Sequence, residues 1–463
     1  MLNNFLDNMK SLAVSDRITT IGRTSAFVLI VGVWALLNPL RAEELPPLPE
    51  AEPQILTTPR IANSDPQSSL IPTTVFPLGE ESLRVEPYGS LWGNIYYSTS
   101  RTNPGPFTLW VRSEEDQGES SLDVDARRSR IGARLFGESV EVGPEIFQTR
   151  GRVEVDFFGQ FLTENRAGVR LRHVYWEVES ESSRYLIGQT DDVISPLLPG
   201  TLNFAVGRSA GNLGFRRAQF QAEKTYRLGK HSKLILQGSL NQDIVDDFPT
   251  DPGIRRESVD WPVIESRVAV QFESPLASER PATVGFSGHL GETGFDFLAS
   301  GPPPLSLPPA DDVRIKTWSI NVDFEIPLSE VTTFRGEWFR GANLSPFLGG
   351  IGQGVCPCLR RPIHSDGGWF ELDQQWNPVW ESHFGAGIDD PEDEDSLLGR
   401  TQNSFVFGNL IFQVNDRLST GWEVTWWKTL YHDERAGLIP AADLTPRTPG
   451  EAVTLEWMVR YNF

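Results

Sequence analysis

"LEWMVRYNF", Leu455 to Phe463, alternates with a period of two. Leu455, Trp457, Val459, Tyr461 and Phe463 are apolar, Glu456, Arg460 and Asn462 are polar, and Met458 is the one apolar residue on the polar row. Successive side chains on a strand point to opposite faces, so one face of this segment is greasy and the other wet. An apolar strand with a free edge invites pairing with other chains. Two settings remove that hazard: the interior of a sandwich, or a closed barrel in which the last strand meets the first and faces lipid.

The rest of the chain decides between them. Sixteen segments with the same alternation run from residue 85 to residue 463. In "SRIGARLFG", Ile131, Ala133 and Leu135 oppose Arg128, Arg130 and Arg134; in "GRVEVDFFG", Val153, Val155 and Phe157 oppose Arg152, Glu154 and Asp156. Links after the even segments are short, such as Asn377-Pro378 and Asn415-Asp416-Arg417, with 138–150 as the exception. Links after the odd segments are mostly long, including 99–123, 191–212, 243–263, 291–312, 342–366 and 431–450. Short turns on one side and long loops on the other belong to an outer-membrane barrel, and a sandwich has no reason to alternate its links in this way. "VRLRHVYWEVE" breaks parity, because Arg170 and Arg172 share it with Val174 and Trp176; a bulge near His173 restores it.

Composition agrees. The 463 residues carry 62 acidic against 41 basic side chains, a net charge of −21, which argues against a nucleic-acid partner. Beyond the first 42 residues no apolar run is long enough for a helical span. The 14 Trp suit a surface that is half lipid and half water. Lys10, Arg17 and Arg23 precede "AFVLIVGVWALL" (Ala26 to Leu37), and Ala42 follows "LR", the pattern of a secretory signal peptide over 1–42. Residues 43–83, headed by "ELPPLPEAEPQ", are too rich in Pro, Glu and Ser to bury a core and are expected to form a disordered periplasmic tether. The barrel is expected over 84–463.

Motifs for chemistry are weak. Cys356 and Cys358 stand in "CPC", where a bridge across one proline is strained and two thiols are too few for structural zinc. "DDPEDED" (Asp389 to Asp395) lacks the Gly and terminal Glu of a calcium loop in the right places and is expected to stay solvated in an external loop. "GFSGH" (Gly285 to His289) has His where a nucleophile elbow has Gly, and the six histidines show no metal spacing. No metal, cofactor or catalytic residue is expected.

The expectation is therefore an all-β, transmembrane antiparallel β-barrel of about sixteen strands. From Asp125 to Ala218, through "DARRSRIGARLFG", "LRHVYWEVE", "YLIGQTDDVISPLLPGTLN" and "AGNLGFRRAQ", the chain resembles the trimeric outer-membrane porins that include the dicarboxylate-associated porins of Gram-negative bacteria. The proline-rich leader departs from that group where a coiled coil is expected. The resemblance implies passive diffusion of small hydrophilic solutes, with anions such as carboxylates favoured, a homotrimer in outer-membrane lipid of a diderm bacterium, and a terminal aromatic, Phe463 with Tyr461, read by the barrel-assembly machinery. It also implies that the third long loop, Thr190 to Asn212, folds into the lumen. That loop would set Asp191, Asp192 and Arg208 opposite Arg128, Arg130, Arg134, Arg152 and Arg217, with Glu154 and Asp156 beside them. The rival expectations are a barrel enzyme of lipase or protease type and a plugged adhesion barrel.

Overall fold

The computed structural model describes residues 74–78, 81–116, 119–159, 167–244, 254–277, 280–297, 308–357, 359–396, 399–432 and 448–463. The expected signal peptide over 1–42 and the expected tether as far as residue 73 lie outside the described residues.

The alternating segments become sixteen barrel strands. In chain order they are β1 (Glu81–Ser98), β2 (Ser121–Asp125 and Arg130–Phe136), β3 (Glu145–Asp156), β4 (Arg170–Glu179), β5 (Ser183–Asp191), β6 (Arg216–Arg227), β7 (Lys233–Asn241) and β8 (Val263–Glu273). There follow β9 (Pro281–Phe297), β10 (Ala310–Pro327), β11 (Thr332–Ala342), β12 (His364–Asn377), β13 (Trp380–Pro391), β14 (Arg400–Gln413), β15 (Leu418–Tyr431) and β16 (Gly450–Asn462). Each pairs antiparallel with the next, and β16 pairs with β1 from Asn462 opposite Ser90 to Thr454 opposite Ser98. Closure leaves no free edge, which is how the apolar final strand is protected. The seam runs to the last residue: Phe463 exchanges backbone hydrogen bonds of 3.0 and 3.1 Å with Gly89, and a Cβ on Gly89 would lie 2.5 Å from the Phe463 ring.

The two faces sort as the alternation requires. Leu455, Trp457, Val459 and Tyr461 are exposed on the outside, as are Phe286 on β9, Phe370 on β12, Val406 on β14 and Trp422 on β15. Glu456, Asn462, Thr425, Asn409 and Glu371 turn inward and are buried. An apolar exterior around a polar interior inverts a soluble protein and matches a barrel set in hydrocarbon. Met458 also turns inward, where it packs with Trp92, Leu202 and Ile411.

The structure differs from the sequence expectation at four places. The 138–150 link is no long loop: Val140–Val142 pairs with Glu145–Phe147 around Gly143, whose φ of 63° suits the turn. The tether does not extend to 83, since Thr74–Leu78 pairs antiparallel with Glu81–Val85 and β1 begins at Glu81. Asp389 of "DDPEDED" lies on β13 and is buried, accepting hydrogen bonds from Ser365 Oγ at 2.6 Å and Ile351 N at 3.1 Å. Aromatic residues are not confined to the lipid interface: Trp92, Trp110, Trp369 and Trp427 are buried inside the barrel. The parity break in β4 is a bulge. Glu154 faces His173 and Val155 faces Leu171, leaving Arg172 extra, so that Arg170, Arg172 and His173 all avoid the apolar face while Leu171 and Val174 remain on it.

Candidate functional site: the luminal passage

The link after β5, residues 192–215, enters the barrel and runs along one wall. What holds it is a row of glutamates turned inward by the alternation. Glu265 on β8 accepts from Val193 N at 2.7 Å, Glu337 on β11 from Leu197 N at 2.7 Å, and Glu371 on β12 from Gly200 N at 2.7 Å. Glu423 on β15 accepts from Leu202 N and from Thr201 Oγ1, both at 2.6 Å. All four carboxyl groups are buried, so these bonds are shielded from competition with water. Asn409 Nδ2 and Asn403 Nδ2 donate to the carbonyls of Gly200 and Ser209 at 2.8 and 2.7 Å. The returning half lies against β12 and β13: Gly211 has φ of 115° and a Cβ there would sit 2.2 Å from the Gly368 carbonyl oxygen, while one on Gly387 would sit 2.5 Å from that of Ala210.

Two further links fold inward with it. Residues 107–111 bring Phe107, Leu109, Trp110 and Val111 into the lumen, where Val111 N donates to Thr429 Oγ1 at 2.9 Å. Residues 344–351 bring Leu344, Phe347 and Ile351, and the carbonyls of Phe347 and Leu348 accept from Gly214 N and Ser209 N at 2.8 and 2.9 Å. The three links form apolar cores with Phe339, Phe405, Phe407 and Trp427 of the wall. Neither extra inward link was legible from length or charge; the apolar "FTLWV" inside a long loop is the signal that marks the first.

The opposite wall is built differently. Its carboxylates are taken up by arginines. Glu154 on β3 accepts from Arg172 Nε at 2.7 Å, Arg152 Nη2 at 2.8 Å and the Tyr88 hydroxyl at 2.9 Å, with Arg130 at 4.0 Å. Asp156 binds Arg170 Nη2 at 2.6 Å and Arg172 Nη1 at 2.9 Å. Four guanidinium groups thus converge on two carboxylates, an excess of two positive charges. The side chains of Arg130, Arg152 and Arg170 stay 20–25 % accessible, whereas the glutamates under the loop are at most 3 % exposed. Arg128 stacks over Trp92 at 4.0 Å and reaches Glu456 at 3.5 Å, and Arg134 lies 4.9 Å over the Tyr88 ring.

The loop charges do not stand across a gap from this wall in the way the sequence suggested. Asp192 and Arg217 are joined at 2.7 Å with side chains 1 % exposed, and Arg217 lies 4.0 Å over the Phe347 ring, so this pair braces the root of the loop. Asp191 stands 3.7 Å from Arg216 at the same root. Arg208 packs over Phe215 at 5.2 Å, and among the described residues no acceptor reaches its Nε. Burial lowers its pKa to about 10 against the opposing pull of Asp191 and Asp192, which still leaves it cationic at neutral pH. At the loop tip Phe204 stacks on Phe158 at 4.1 Å and lies 5.3 Å from the Arg170 guanidinium. Cys356 is buried; Cys358 lies outside the described residues.

No protein-family model and no curated relative matches the sequence. Among solved structures, the outer membrane channel DcaP of Acinetobacter baumannii superposes with a TM-score of 0.63 at 15% identity, covering 82% of this chain and 97% of that one. An anion-selective porin from Comamonas acidovorans superposes with a TM-score of 0.51 at 12% identity over 82% of this chain and all, 100%, of that one. At such identities the likeness establishes the fold: that of the outer-membrane porins.

Proposed function

We propose that this protein is an outer-membrane porin through which small hydrophilic solutes pass by diffusion, without catalysis or cofactor, between the inward loop and the arginine wall of β2–β4. One observation carries the proposal: the backbone donors of the loop are taken up by glutamates of the wall of β8–β15, while the wall of β2–β4 meets the loop at Arg128, which donates to the Leu202 carbonyl, and at Phe204, and keeps accessible guanidinium groups in excess over carboxylates. Such a surface concentrates anions and lowers their entry barrier relative to cations. Small carboxylates are the solutes favoured, in keeping with the resemblance to the dicarboxylate-associated porins. Arg128, Arg130, Arg134 and Arg152 line the constriction with Glu154 and Asp156, Arg208 contributes charge from the loop, and Asp191, Asp192 and Arg217 fix the loop root. Assembly as a homotrimer, recognition of Tyr461 and Phe463 by the assembly machinery, removal of residues 1–42 and a periplasmic tether complete the reading.

The test is single-channel recording in planar bilayers under a KCl gradient. Stepwise openings with a reversal potential of anionic sign support it. A silent bilayer from folded barrel overturns it and favours a plugged surface barrel.

A further inference from the structure

The inward glutamates of β8, β11, β12 and β15 are buried under the loop, Glu337, Glu371 and Glu423 near the middle of their strands and Glu265 near the start of β8. Side-chain carboxylates on four separate strands accept from Val193, Leu197, Gly200 and Leu202, so the anchoring of the loop is spread over half the barrel circumference. Glu423 alone accepts from four donors: Thr201 Oγ1, Leu202 N, Asn409 Nδ2 at 3.0 Å and Thr425 Oγ1 at 3.1 Å. Glu337 also accepts from Trp369 Nε1 at 3.1 Å, and Glu371 also binds Arg335. Arg335 and the Trp369 indole hold their carboxylates from the side, so the remaining lone pairs aim at the loop. Glutamine has one acceptor oxygen and one donor amide, so it can keep the loop N–H bond and lose the lateral one.

We infer that this four-strand carboxylate row is the positioning device that sets the width of the constriction. Glu337 and Glu423, at the middle and far end of the loop's outward run, act as its principal pegs. The segment 193–202 has no strand or helix of its own among the described residues, so its backbone donors depend on these side-chain carboxylates, supported by Asn409 and Arg128 at the Gly200 and Leu202 carbonyls. A segment held by spaced side-chain bonds opens locally when a peg is removed, without unfolding the barrel that supplies the pegs.

The experiment compares wild type, Glu337→Ala, Glu423→Ala and the two Gln variants, all as folded barrels in lipid nanodiscs. Hydrogen exchange of the peptide covering 193–204 is one readout and single-channel conductance the other. Alanine is expected to speed exchange in that peptide about tenfold, the loss of roughly one buried hydrogen bond, and to raise conductance. Glutamine is expected to restore most of the protection. The second readout rests on the diffusion reading, the first does not. Unchanged exchange in both alanine variants overturns the pegs whatever the conductance does, and fast exchange with unchanged conductance overturns their role in width. Slow exchange in the wild type and fast exchange in the alanine variants, with neither ever conducting, leaves the pegs standing and sinks the diffusion reading. If the alanine variants do not fold, the glutamine pair decides: exchange and conductance both equal to wild type support the pegs, and loss of protection equal to that of an unanchored loop overturns glutamine rescue and with it the assigned role of the N–H bonds.

Discussion

The two walls of the lumen use the same residue for opposite ends. Glu154 on β3 and Glu337 on β11 both point inward and are both buried. Glu154 is saturated by Arg152, Arg172 and Tyr88, which fixes a fan of guanidinium groups facing water. Glu337 receives a loop N–H and an indole N–H, which fixes polypeptide against the wall. A carboxylate inside a barrel is therefore neither a selectivity element nor a structural one by its identity. Its partners decide: Glu154 is met by arginines, whereas Glu337 is met by a loop amide and an indole.

The largest effect that could break this comparison lies at the loop root. Arg217→Ala leaves Asp192 buried without its counter-charge, and a loss of about 3–5 kcal/mol in resistance to denaturant is expected. Were the variant as stable as wild type but strongly altered in ion preference, Arg217 would belong to the passage and the division into two walls would fail. Next in size, Gly200→Ala on the packed side would place a Cβ 2.3 Å from His383 Nδ1. Overpacking of this kind costs about 1–3 kcal/mol, and thermal unfolding of the barrel in detergent measures it.

On the wet side, Arg130→Ala is expected to leave stability nearly unchanged while lowering the anion-to-cation permeability ratio roughly fivefold, the worth of about 1 kcal/mol for one charge near water. The reversal potential under a KCl gradient reports it. An Arg130→Ala barrel with unaltered reversal potential would show that the arginine excess does not act on passing ions. The smallest effect sharpens the contrast from outside: Glu181→Gln removes the Glu181–Arg227 pair, 70 % and 64 % exposed, at the short turn between β4 and β5. Less than about 0.5 kcal/mol and no change in conductance are expected, since exposed pairs contribute little.

Much of the barrel was legible because the lipid face leaves a record at every second residue. The exposed row Val453, Leu455, Trp457, Val459 and Tyr461 is visible as letters, and so is the parity break that becomes the bulge at Arg172. The inward loop was placed from its position after the fifth segment and from resemblance. Its anchors were not, because Glu265, Glu337, Glu371 and Glu423 read only as polar residues on a wet face. The same holds for the two further inward links, whose apolar residues sit in long loops with no period to follow. Asp192 and Arg217 were both singled out, but their separation in sequence says nothing of the 2.7 Å between them.

Sequence by itself determined the period, the short and long links, the apolar exterior and the closing aromatic, since each depends on neighbours within one strand or turn. Tertiary structure decided which wall the loop binds, which carboxylates meet cations and which meet backbone, and where water is left. Those outcomes depend on strands brought side by side by closure of the sheet, and a hydrogen bond between Leu197 and Glu337 exists only once that circle is complete.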